Sequence, residues 1–235
     1  MNRRFSHAEF RGSLYYILAL GFSAPNARNL KQTSGQILEV LQKAESLPDW
    51  TALEDRLKSL ELCVNASDRS SLKAEYHRLF VGPYKLLAPP YASVYLEPES
   101  TIMGPSTLQV LRMYEEAGFV LSSSYKDLPD HIAAELEFMA LLCEEEGAAW
   151  QRNDFSLASK LLIREETFLR QHLVRWIPNF TSKLLVWTDC QFYRALASLA
   201  QDYVLMDLDC VRALRRLLDA EGSATSMKEG ARDGD

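Results

Sequence analysis

The chain is poor in the residues from which catalytic and cofactor sites are built. It has only four histidines in 235 residues, and no Glu-x-x-His occurs, so the helix-borne ligand pair of a di-iron bundle is excluded. His7 is near a terminus, and His77 and His172 have no carboxylate at a chelating spacing that recurs elsewhere. Its four cysteines, Cys63, Cys143, Cys190 and Cys210, are widely separated and form no Cys-x-x-Cys pair. They read as reduced thiols in helical patterns, which implies a cytoplasmic setting. Gly82 and Gly104 are isolated, and neither precedes a Gly-Lys-Ser or Gly-Lys-Thr run, so no phosphate loop is present. Ser122 to Ser124 lacks the Gly-flanked turn of a nucleophile elbow and has no evident paired base. No catalytic residue, no metal site and no cofactor is expected, and the chain reads as a non-enzyme.

Positive charge is also in deficit. Lys and Arg total 26 against 32 Asp and Glu, a formal net charge of -6, which argues against a protein that lives on phosphate backbones. No apolar run reaches the roughly 20 residues of a membrane span. Leu14 to Phe22, preceded by Arg3 and Arg4, imitates a signal peptide only superficially, because Glu9 and Arg11 interrupt its approach and Tyr15 and Tyr16 lie within it. A mature, cytoplasmic protein with no nucleic-acid partner and no stable membrane insertion is expected.

What the chain does have is helical periodicity and 47% hydrophobic residues, enough to bury a full core. Phe10, Leu14, Ile17, Leu18, Gly21 and Phe22 follow helical spacing, and Pro25 with Asn26 ends that helix. Further helices are predicted from Thr33 to Ser46, after Leu47 with Pro48 in the first turn, and after Asn65 or Ser67 into Tyr76, Leu79 and Phe80. Ser106 to Phe119 is predicted next, then Asp130 to about Arg152, with Ile132, Leu136, Met139 and Cys143 as one stripe. Asp154 caps a helix reaching His172, Trp176 and Pro178 mark a boundary, and Asp189 to Ala220 forms one long helix or two. The expected architecture is all-α: a single globular helical-bundle domain, residues 1–220, of about nine to ten helices with a long ordered Pro-rich loop. The polar segment Glu221 to Asp235 is expected to be disordered.

The loop is the most informative stretch. Glu75 to Glu97 reads EYHRLFVGPYKLLAPPYASVYLE, where Gly82, Pro83, Pro89 and Pro90 break a run that could otherwise extend a helix. Phe80, Tyr84, Leu86, Leu87, Tyr91, Val94 and Tyr95 would be poorly soluble on a mobile linker, so the loop either packs on the helices or offers a surface to a partner. A proline-stiffened loop can present aromatic faces to a peptide with apolar and Arg side chains at little ordering cost. Downstream, Asp130, His131 and Glu135 stand at a helix start. One reading makes them a cap and an i,i+4 ion pair; the other makes Asp130 and His131 line a pocket for a cationic guest.

These pieces carry a specific resemblance. Arg78-Leu79-Phe80-Val81-Gly82-Pro83, Ala88-Pro89-Pro90-Tyr91-Ala92-Ser93-Val94-Tyr95, and Pro129-Asp130-His131 followed by Glu135-Leu136-Glu137-Phe138-Met139 resemble the motifs of the TorD/DmsD family of chaperones dedicated to molybdenum enzymes. The resemblance implies binding of the twin-arginine signal peptide, or the apo-catalytic subunit, of a molybdopterin oxidoreductase until its cofactor is inserted. Carried over residue by residue, the peptide-binding surface falls on Leu79, Phe80, Gly82, Pro83, Pro89, Tyr91, Ser93 and Tyr95, with Asp130 and His131 across the groove. Asp130 and Glu135 would then face the arginines. Where the family often has Trp after the two prolines, this chain has Tyr91, and the smaller ring changes which signal peptide fits. A monomer is expected, with exchange of elements between protomers as the alternative. A helical adaptor for an unrelated partner and a metal-dependent helical-bundle enzyme rank below the chaperone reading.

Overall fold

The apolar stripe Phe10, Leu14, Ile17, Leu18 and Phe22 buries α1 (Arg3–Phe22) along most of its length. In the computed structural model, which describes residues 3–44, 51–82 and 86–230, α1 packs most extensively on α7 (Ile132–Gln151). Gly12 permits this approach: a Cβ there would lie 3.1 Å from Cys143 Cβ and 3.3 Å from Ala140 O. The stripe Ile132, Leu136, Met139 and Cys143 on α7 is buried throughout.

The remaining helices build outward from that pair. The hairpin of α2 (Ala27–Ala44) and α3 (Thr51–Ala66) packs on α1 and on α10 (Gln191–Gly230), while α8 (Phe155–Phe168) packs on α7 and α10, and α9 (Val174–Trp187) on α10. Three shorter helices, α4 (Arg69–Tyr76), the single turn α5 (Ser93–Leu96) and α6 (Pro105–Glu116), flank the irregular central segment. The architecture is all-α, as the periodicity predicts, with ten α-helical segments and no strand among the described residues.

Several boundaries differ from the sequence expectation, each for a local reason. Helix α2 begins upstream of Thr33 because Asn26, expected only to end α1, also accepts the Asn29 N–H at 2.9 Å and caps the next helix. Asp68 caps α4 through the Ser71 N–H, and that helix runs on into a π turn, His77–Val81. The boundary expected at Trp176 and Pro178 does not form. There α8 continues through a second π turn, Leu169–Leu173, into α9, and Pro178 sits inside the helix. Pro178 is the fifth residue of α9, and the helix carries on to Trp187 without the hydrogen bond that a proline cannot donate. The asserted helix entrance at Leu47 and Pro48, loop residues Pro83 and Tyr84, and tail residues 231–235 lie outside the described residues. The rest of the expected tail falls on the last turns of α10.

At the junction of α1, α7, α8 and α10 lies a charge cluster sealed from solvent. Arg11 is 0% exposed and donates to Glu146 at 2.8 Å, Glu165 at 2.5 Å and Asp207 at 2.5 Å, all equally buried. Tyr15 Oη donates to Asp207 at 2.6 Å, Trp150 Nε1 to Glu146 at 2.6 Å, and Tyr203 Oη to the Arg11 carbonyl at 2.8 Å. Burial works against the guanidinium's charge, but Asp207, with Cys143 and the two glutamates, outweighs it and holds its pKa above the ordinary value. Burial pushes Glu165 up to about 8, with Arg11 opposing.

Breaking such a cluster on one side strands buried charge. Arg11→Ala should destabilise the fold by about 3–5 kcal/mol in urea unfolding; a loss below about 1 kcal/mol would contradict the geometry. A pH profile gives a second check. Glu165 binds its proton more tightly when folded, so its contribution is present below pH 4.5 and is lost as pH rises to about 8. Burial lowers His172 to about 4, so its contribution is present above pH 6.5 and lost as pH falls to about 4. Between pH 4.5 and 6.5 the two slopes oppose. Removing the Glu165 slope, Glu165→Gln should make stability fall less between pH 4.5 and 8 than it does in the wild type, measured by urea unfolding across that range.

Candidate peptide-binding site

The Pro-rich segment is held in place chiefly by its own backbone. After the π turn, Gly82 adopts φ 50° and ψ 159°, a conformation that favours glycine, and its N–H donates to His77 O at 2.6 Å. The chain then folds back, and Ala88 N–H donates to Leu79 O at 3.0 Å. Pro89 and Pro90 lead into an antiparallel bridge between Tyr91 and His131. Its bonds run from Ala92 N–H to Asp130 O at 3.0 Å and from Ile132 N–H to Pro90 O at 2.8 Å.

Side chains complete the clamp. Asp130 Oδ2 accepts the Ser93 N–H at 2.9 Å, so the aspartate serves the start of α5 rather than α7. His131 caps α7 instead, its Nδ1 accepting the Ala133 N–H at 3.1 Å. Glu97 Oε1 accepts the Ser106 N–H at 2.7 Å and ties the end of the segment to α6. Tyr114 Oη donates to Pro129 O at 2.9 Å. The His131–Glu135 ion pair considered from spacing does not form: His131 Nε2 is 3.9 Å from Asp127, and Glu135 accepts the Trp176 Nε1–H at 3.1 Å.

These contacts divide the expected site residues into two groups. Leu79, Phe80, Pro89, Ser93, Asp130, His131 and Glu135 are buried, with Asp130 and Glu135 at 0% exposure. Gly82, Tyr91 and Tyr95 are half-buried and reach the surface, while Pro83 is not among the described residues. Pro89, Tyr91, Ser93, Asp130 and His131 converge at the bridge. Leu79 and Phe80 belong to the core below it, where Phe80 meets Tyr193 and Phe180 at ring-centroid distances of 5.5 and 6.2 Å. Tyr95 stacks on Trp176 at 5.6 Å and lies beneath the Lys183 ammonium.

The electrostatics follow from this burial. Burial keeps His131 neutral by lowering its pKa, against Asp127 and Asp130, and burial raises Glu135 well above the usual carboxylate range. The Tyr91 phenol is pushed up by burial and then by its hydrogen bond to Asp127. Asp130 Oδ1, Glu135 Oε1, Ser93 Oγ, Tyr95 Oη and both His172 ring nitrogens lack a hydrogen-bond partner among the described residues. Each such atom costs on the order of 1–3 kcal/mol when buried, so the junction beneath the loop is the least satisfied part of the interior.

Three contributors escaped sequence reasoning. Glu97 and Asp127 are ordinary acidic residues whose partners are set by the loop path, so spacing carried no sign of them. Arg11 did leave a sign: it is one turn before Tyr15 and two before Leu18 on the apolar face of α1. Cys143, Glu146 and Glu165 bring ligand-type atoms within 4.8 Å of one another, but Arg11 already donates to both carboxylates.

The segment that carries Tyr91 and Tyr95 is clamped across the helical bundle by Asp130 and Glu97. Comparison with known proteins identifies the family. A model of the family described as nitrate reductase delta subunit matches residues 46–182. The Tat proofreading chaperone DmsD of Salmonella typhi is 30% identical over 166 residues, covering 70% of this chain and 74% of that protein. The chaperone protein TorD of Shewanella pealeana is 25% identical over 218 residues, covering 86% and 89%. A crystal structure of an Archaeoglobus fulgidus protein, described as a redox enzyme maturation protein, shares the fold with a TM-score of 0.53 at 22% identity, covering 83% of this chain and 93% of that one. The chain belongs to the TorD/DmsD family, and its role is that of a chaperone in molybdoenzyme maturation. None of its described helices is long and apolar enough to cross a membrane.

The clamp makes a direct prediction. Asp130→Ala removes the acceptor at Ser93 and should cost about 1–2 kcal/mol, the usual value for losing a cap, with faster amide exchange at 91–97. Unchanged exchange at Ser93 would show that the bridge alone holds the loop.

Proposed function

We propose that this chaperone binds the twin-arginine signal peptide, and with it the apo form, of a molybdopterin oxidoreductase subunit in the cytoplasm. Binding there would hold back export until the cofactor is inserted. The observation that carries the reading is the clamped loop, which keeps Tyr91 at the surface beside Asp127 and His131 with its backbone already ordered. A preformed aromatic edge of this kind takes an apolar segment with little ordering loss.

In this reading the expected surface residues have unequal parts. Gly82, Tyr91 and Tyr95 meet the guest. Leu79, Phe80, Pro89, Ser93, Asp130, His131 and Glu135 set the position of the loop from beneath or behind. The protein acts as a monomer and performs no reaction on its client. Its family membership supports this assignment, as does the net charge of -6, which attracts cationic peptides at long range.

The test is calorimetric titration of the full chain with a twin-arginine leader and with its Lys-Lys counterpart. The expected dissociation constant is about 1 μM, near -8 kcal/mol, for the first peptide and at least tenfold weaker for the second. Tyr91→Ala should weaken the twin-arginine complex about tenfold, roughly 1.4 kcal/mol, with unchanged helix content. Equal affinity for the two leaders would remove arginine proofreading. Absence of both would place recognition on the enzyme body.

A further inference from the structure

The carboxylates at the loop, Asp130 and Glu135, are closed off from solvent, which leaves open where guanidinium groups would be received. The outer face of α7 offers acceptors that are not closed off. Two cavities adjoin there and share Glu137 and Leu141. One, of about 450 Å³, lies between α1 and α7 against Phe5, Gly12, Tyr16 and Glu144. The other, of about 230 Å³, is walled by Tyr114, Phe119, Leu121, Tyr125 and Phe138.

Charge sorts these cavities clearly. Their titratable lining includes Glu9, Glu137 and Glu144, and neither Lys nor Arg lines either one. Glu9 is engaged by Lys43 at 2.7 Å. Glu137 and Glu144 are exposed, and neither forms an ion pair among the described residues. They are two helical turns apart, ~10.5 Å along the axis, with Leu141 between them on the same face. Neighbouring arginines of an extended peptide point in opposite directions, and their long side chains can reach both carboxylates, each a match for a planar guanidinium.

The track also joins the loop. Tyr125 lines the smaller cavity, and its phenol is raised by burial and then by Asp127, Tyr91 and Glu137, so it stands between the loop edge and the acidic face. Val120, 87% exposed, adds an apolar rim.

We propose that a basic-then-apolar leader crosses this face of α7 over Leu141, its guanidiniums reaching Glu137 on one side and Glu144 on the other and an apolar side chain in the Phe119–Tyr125 cavity. This rests on the reading that the protein binds such leaders, and it assigns the arginine preference to residues outside the loop.

The experiment is the same pair of titrations, twin-arginine and Lys-Lys, on wild type, on the double variant Glu137→Gln/Glu144→Gln, and on Glu145→Gln. Glu145 is exposed on α7 but lines neither cavity, so it controls for lost charge. All three sites are at the surface, and thermal melting verifies that each variant folds. The expected result is at least a tenfold loss for the twin-arginine leader in the double variant, a collapse of its advantage over Lys-Lys, and wild-type behaviour for Glu145→Gln. Wild-type discrimination in the double variant would overturn the track while leaving leader binding intact. An equal loss in Glu145→Gln would also overturn it, as general attraction by net charge. Failure of the wild type to bind either leader would refute the leader reading itself, and the track with it.

Discussion

Arg11 is the constraint on which the bundle depends. A guanidinium without solvent contact is tolerable only if carboxylates surround it, and the three that do so come from α7, α8 and α10. Each of these helices must therefore meet α1 at a fixed rotation and depth. Hydrophobic stripes alone would allow neighbouring registers at modest cost. The ion cluster makes those registers expensive, because sliding any partner helix leaves a buried charge unmatched.

Helix α7 transmits this constraint to the candidate binding surface. Its inner face carries Glu146 to the Arg11 cluster, and its N-terminus, through Asp130 and His131, holds the Pro-rich segment. Its outer face carries Glu137 and Glu144. A shift of α7 would thus move the loop anchor and the acidic face together. Among its described residues the loop is attached by a few hydrogen bonds.

Much of this fold was legible in the sequence because it is written in local periodicity. The stripes of α1 and α7, the Asp154 cap and the breaking of helix at Gly82 are short-range signals, whereas the cap of α4, expected at Asn65 or Ser67, falls on Asp68. The π turns were not legible, since they reflect how α4 and α8 meet their neighbours. Pro178 misled too: it reads as a boundary but lies inside α9. Among the candidate site residues, spacing did not reveal which partner each side chain takes. Asp130 looks like a cap for the helix it precedes, yet it serves Ser93, 37 residues away, and the pairing of Glu135 with Trp176 spans 41. Such partners are products of topology, invisible to spacing.

The most direct test of the account is amide hydrogen exchange of the full chain with and without a saturating twin-arginine leader. The account predicts slowed exchange at 86–97 and 119–127, with α3 unaffected. Slowed exchange confined to α3 and α10, with the loop unchanged, would contradict the account and place recognition away from the Pro-rich segment.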